Sequence, residues 1–121
     1  MKPPYTLHLP WPPSTNRLWR RGKGKRVYRH PDYVAWTTEA GWWIRQQVGH
    51  IEPIVGAFKA DIKLQPPNKR HRDLDNCVKA VLDLVEHMGI VANDKHCRQL
   101  VVGWAELGTQ PVGVLINLSE M

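Results

Sequence analysis

The sequence predicts a small α+β domain, and three observations predict it. Apolar and polar residues alternate with a period of two over 5–9, 57–65, 100–104 and 112–118, the signature of half-buried strands. Two stretches, 31–51 and 73–88, instead carry apolar residues at helical spacing. A chain of 121 residues closes one modest core and is too short for two. The expected order is β, basic arm, α, β, α, β, β. That is a mixed sheet packed by two helices, with residues 1–121 as a single domain.

Each element has its own reason. Tyr5, Leu7 and Leu9 alternate with Thr6 and His8, and LPWPPSTNR (9–17) ends the strand because prolines supply no ladder donors. Pro31-Asp32 starts a helix, with proline in the first turn and an acid near the positive end of the dipole. Tyr33, Trp36, Ala40, Trp43, Ile44, Gln47, Val48 and Ile51 follow at helical spacing, Gly41 being the weak point. Trp36 and Trp43 are expected in the core, while Trp11 and Trp19 flank the basic arm and stay open between packing and binding. Phe58, Ala60, Ile62 and Leu64 alternate with Lys59, Asp61, Lys63 and Gln65 until Pro66-Pro67. The second helix runs from about Asp73, striped by Leu74, Val78, Val81, Leu82, Val85 and Met88, and Gly89 stops it. Leu100, Val102 and Trp104, then Val112, Val114, Ile116 and Leu118, mark two closing strands around the turn GTQPVG.

Charge narrows the partner. Seventeen Lys+Arg against eleven Asp+Glu leave a net +6 and a pI near 9.6. Such a chain attracts polyanions, nucleic acid above all. Seven of the bases, Arg17, Arg20, Arg21, Lys23, Lys25, Arg26 and Arg29, fall in one acid-free run broken by Gly22 and Gly24. The run reads as an arm or β-ribbon that contacts phosphates, since unneutralised like charges repel one another. Cys77 and Cys97 form no C-x-x-C pair, and His96-Cys97 lacks a second ligand pair at zinc spacing. With no signal-like segment and no long apolar run, the expectation is a cytoplasmic protein with reduced thiols and no membrane contact.

The chemistry gathers in NKRHRDLDN (68–76). Helix capping and dipole compensation explain one aspartate at such a place. Two aspartates, Asp73 and Asp75, lie where strand-like chain becomes helix, which keeps both carboxylates near one point. Lys79 sits one turn beyond Asp75. A further acid, Asp94 in GIVAND, follows the helix, but the helix runs back along the sheet, so its approach to Asp73 is not implied within one subunit. Clustered Asp oxygens suit a hard divalent cation, and Lys69, Arg70 and Arg72 beside them suit phosphate oxygens. Acids for a metal and bases for a backbone are what metal-assisted phosphodiester hydrolysis needs. D-x-D alone occurs by chance in many proteins.

RDLDN-x-x-K (72–79), the opening LPWPPSTNR and the downstream Asn93-Asp94 together resemble the RusA family of Holliday-junction resolvases, small endonucleases of bacteria and of their phages and prophages. The resemblance implies a homodimer that depends on Mg²⁺, with Mn²⁺ as a substitute, and uses no small-molecule cofactor. It would nick two opposed strands of a four-way DNA junction. By motif position, Asp73, Asp75 and Asp94 would bind the metal, and Lys79 would contact the scissile phosphate. Whether Asp94 joins the other two within one subunit or across the dimer interface is left open by the sequence. Asn16 would position its loop or touch DNA. Two departures stand out: Asn93 replaces a second acid, its amide oxygen left to orient a water or ligate weakly, and His71 interrupts the basic run, strengthening phosphate contact only on acidification. Two other readings compete, a non-catalytic basic nucleic-acid-binding protein and a Mg²⁺ nuclease for other branched DNA.

Overall fold

The computed structural model describes residues 2–13, 19–21, 27–70, 72–106 and 108–121, with backbone alone at 19–21 and 27–29. In chain order the elements are β1 (Tyr5–Leu9), β2 (Trp19–Arg21), β3 (Val27–Arg29), α1 (Pro31–Gln47), β4 (Phe58–Gln65), α2 (Val78–His87), β5 (Cys97–Trp104) and β6 (Gly113–Glu120). Short 3₁₀ turns at Leu74–Cys77 and Asp94–His96 lead into α2 and β5. The expected order and class are the observed ones. Within the basic run, β2 pairs antiparallel with β3 as a two-stranded ribbon.

The main sheet is mixed, ordered β1-β6-β4-β5. β6 pairs antiparallel with both β1 and β4, whereas β4 and β5 run parallel. Parallel neighbours need a crossover, and α2 supplies it. Register sets Leu7 beside Ile116, Ile116 beside Ile62, and Ile62 beside Val102, so these side chains share one face. Against that face pack Tyr33, Trp36, Ala40 and Ile44 of α1 and Ala80, Val81, Leu84 and Val85 of α2, all buried. Each large apolar side chain taken fully from water contributes roughly 1.5–3 kcal/mol, and this shared layer holds the domain together.

Gly41 is explained by helix packing: a Cβ there would sit 3.3 Å from the Met88 sulfur beyond the end of α2, so glycine lets the two segments close up. Gly89 takes φ 75° and ends α2, as expected for a left-handed helix stop. Three apolar expectations need correction. Trp43 is half-buried rather than core, its ring resting 5.4 Å from that of His8. Ile51 lies outside α1, which ends at Gln47. Leu100 and Trp104 face the helix side but are each 44% exposed, because β5 is an edge strand that the helices do not reach across. The opposite edge is closed. Gln47 accepts from His8 N (2.7 Å) and donates to His8 O (2.6 Å), covering the backbone groups of β1 at that residue.

Candidate active site

The site begins where Pro66-Pro67 terminate β4. Asn68 Oδ1 accepts from Arg70 N at 2.9 Å, a side-chain turn that reverses the chain. Arg72 then braces the loop: Nη1 donates to Arg70 O (2.9 Å) and Asn68 O (3.2 Å), and Nη2 to Asn68 Oδ1 (2.8 Å). Its guanidinium also lies 5.4 Å over the ring of Trp11. Arg72 is thus committed to shaping the loop, while Lys69 and Arg70 are exposed.

Asp73 is extended (φ −78°, ψ 138°) at the start of the 3₁₀ turn, and Asp75 lies within that turn. Asp73 makes no side-chain capping bond. Both carboxylates are exposed, and among the described residues neither is engaged in a hydrogen bond or ion pair. Capping therefore does not account for Asp73. Two free carboxylates joined by one residue fit a hard cation, which takes oxygen donors and tolerates a partly hydrated shell.

Lys79, in the first turn of α2, places Nζ 3.0 Å from Asp83 Oδ1 and 3.7 Å from Asp94 Oδ2. The Asp83 hydrogen bond and charge, reinforced by Asp94, raise the lysine pKa above its ordinary value. Lys79 therefore stays an ammonium, a positive charge held in place. Asp94 is itself held from behind: its N–H donates to Glu86 Oε1 at 3.0 Å. The preceding segment is pinned to Ile54 by Ile54 N–Ile90 O (2.8 Å) and Ala92 N–Ile54 O (2.9 Å). Asn93 Oδ1 accepts from Lys95 N at 2.9 Å, so its amide oxygen caps the turn. One of the two lone pairs of that oxygen is thus taken by the turn.

Beside Asp73 opens a cleft of about 700 Å³ between the loop Trp11–Pro13, the first half of α1 and the start of the 3₁₀ turn. Cys77 is on its floor, and burial pushes the thiol pKa up to about 11 despite the nearby Arg72 charge. It is a packing residue, inert as a nucleophile.

A family model described as Endodeoxyribonuclease RusA matches residues 10–118 of this chain. The chain belongs to the RusA family. Similar proteins include the crossover junction endodeoxyribonuclease RusA of Aquifex aeolicus (strain VF5), 36% identical over 90 residues, which cover 74% of this chain and 69% of that one. The namesake in Escherichia coli (strain K12) is 32% identical over 93 residues, covering 74% and 73% respectively.

In this RusA-family chain, the expected site residues assemble in two parts. Asp73 and Asp75 form one, and Lys79 with Asp94 the other. Among the described residues no group of three or more His, Cys, Asp or Glu side chains is arranged to hold a metal, so the three aspartates do not converge at one point. Lys79 and Asp94 meet inside a single chain, and no partner subunit is required to join them. Of the DNA-binding candidates, Asn16, Arg17, Lys23, Lys25 and Arg26 lie outside the described residues, as does His71. Arg20, Arg21 and Arg29 fall on the ribbon, where the backbone alone is described. Asp83 and Glu86 were missed in the sequence. Their signal was helical spacing, four and seven residues after Lys79 on one face of α2.

Proposed function

We propose that this protein resolves four-way DNA junctions as a divalent-metal-dependent homodimer, each subunit cutting one of two opposed strands. The observation that carries the reading is the pair Asp73 and Asp75, whose carboxylates have no partner among the described residues, set directly after the basic loop and one helical turn before an ammonium fixed by Asp83. Family membership and the names of the relatives support the junction as substrate.

Asp73 and Asp75 would hold Mg²⁺, or Mn²⁺ in its place, while Asp94 would help fix the Lys79 ammonium rather than ligate the ion. When bound, the ion supplies Lewis acidity at the phosphoryl group and eases deprotonation of water. This chain's own residues do the rest. Lys69 and Arg70 hold the backbone of the strand to be cut, and Arg72 keeps their loop in shape. Lys79 offsets negative charge on the phosphoryl oxygens as it develops, a donor contribution worth on the order of a hundredfold in rate. The β2–β3 ribbon extends the phosphate-binding surface along a junction arm. A cytoplasmic location accords with a DNA substrate and two free thiols.

A synthetic four-way junction incubated with Mg²⁺ tests the reading. Wild type should release two nicked duplexes, and Asp75→Asn should bind the junction yet cut it at least about a hundredfold more slowly. Unchanged cutting by both Asp73→Asn and Asp75→Asn would remove the metal assignment. If wild type cuts neither junction, fork nor duplex, the chain binds DNA without catalysis; preference for the fork marks a nuclease of other branched DNA.

A further inference from the structure

Apart from Asp73, Arg70 and Arg72 on one side, the cleft beside Asp73 takes no part in the hydrolysis described above, yet its walls have a definite chemistry. Trp11, half-buried, and Pro12 and Pro13 make one apolar side, with the Arg72 guanidinium 5.4 Å over the indole. Asp32 and Glu39 on α1 face them across the opening. The cleft is built before any ligand arrives. Trp36 Nε1 donates to Pro10 O at 2.9 Å and anchors the proline loop, while three hydrogen bonds hold Arg72.

Charge disfavours a phosphate as occupant. Among the described residues, the carboxylates Asp32, Glu39 and Asp73 line the cleft against the guanidinium groups of Arg70 and Arg72, and Arg72 is already committed to loop carbonyls and to Trp11. A neutral planar group suits it better, since aromatic and guanidinium faces stack on π-systems and carboxylates accept from ring and amino N–H groups. Volume agrees, being ample for one nucleotide base with its sugar. With Asp73 on the rim, a base in the cleft belongs to the nucleotide next to the phosphate held by Asp73 and Asp75.

We infer that the Trp11–Arg72 cleft receives an unstacked nucleobase from the strand being cut, immediately beside the scissile phosphate. This rests on the nuclease reading and deepens it. Removing a base from continuous duplex sacrifices pairing and stacking on both sides. At a branch point one stacking neighbour is already interrupted, so the same movement costs less. The cleft then makes cutting depend on a branch, with Trp11 as a specificity-determining residue.

Two measurements test it. In a kinetic cycle, wild type and Trp11→Ala are compared on four-way junctions carrying an abasic site singly at each of two nucleotides on either side of the cut. With all bases present, Trp11→Ala should cut about tenfold or more slowly. At one abasic position the two proteins should cut within about threefold of each other, because the contact is already gone. Trp11→Leu, which keeps apolar bulk, replaces the alanine variant if that one melts early. The second measurement needs no cutting: with metal chelated, 5-iodouracil at the same positions should photocrosslink to Trp11, located by mass spectrometry. A deficit unchanged at every abasic position, together with no crosslink to Trp11, overturns the inference while cutting by wild type keeps the nuclease reading. If wild type cuts nothing, the nuclease reading falls and the crosslink alone decides whether the cleft takes a base.

Discussion

At Lys79 two carboxylates share one ammonium, and Asp83 holds the shorter contact, 3.0 Å against 3.7 Å. The raised lysine pKa means that the charge persists to higher pH than for a free lysine. Asp83→Asn removes the larger cause, so the alkaline limb of the cleavage pH profile should move to lower pH, measured by single-turnover cutting of a junction. The same pair affects folding with a definite sign. A raised folded pKa stabilises the protein fully below the unfolded lysine value, and that contribution is lost as pH rises through the folded value. Because the Lys79 side chain is 56% exposed, solvent and salt screen the pair and the effect on stability is small. Its importance lies in where the charge is held. Helical spacing offered Asp83 from the start, but only the ion pair shows that it governs Lys79.

Among elements, the segment 90–96 controls where Asp94 points. Asn93 caps its 3₁₀ turn, Glu86 receives the Asp94 N–H, and Ile54 ties the strand-like stretch before it. Loss of a side-chain cap costs about 1 kcal/mol. Asn93→Ala should therefore lower the melting temperature by roughly 3–6 °C, read by calorimetry. Residue type at position 93 does not show that the amide oxygen accepts from Lys95 N; only the folded turn does. The closing strands show a similar limit. Alternation put Leu100, Val102 and Trp104 on one face correctly, yet could not show that β5 lies at the sheet edge, beyond the helices.

For the whole molecule, the two edges of the sheet are unlike. Gln47 blocks β1, whereas β5 presents Leu100 and Trp104 to solvent on an outer edge without a strand partner among the described residues. Exposed apolar edges favour association, and under the proposed paired cutting a second copy is the occupant. Trp104→Lys should then weaken the proposed dimer, seen as a lower mass in light scattering, and turn paired cuts into single nicks. The intrachain Lys79–Asp94 contact sets a second expectation. Mixing Asp75→Asn with Asp94→Asn subunits should restore no cutting, since each subunit would carry its own damaged site. Restored activity would show that Asp94 serves its neighbour.

Periodicity, turn chemistry and motif spacing are local properties of a chain, so the element order, most of the core stripes and the place of Asp73 and Asp75 at the boundary between extended chain and helix were legible without the fold. Packing brings Asp94 to Lys79 within one subunit, gives Asp83 the shorter contact to that lysine, and walls a cleft beside Asp73 with Trp11 and Arg72. These contacts join segments far apart in the chain or depend on side-chain direction, and neither is written in spacing. The physical reason is that packing, and not pattern, settles which of several available partners a charged or aromatic group meets.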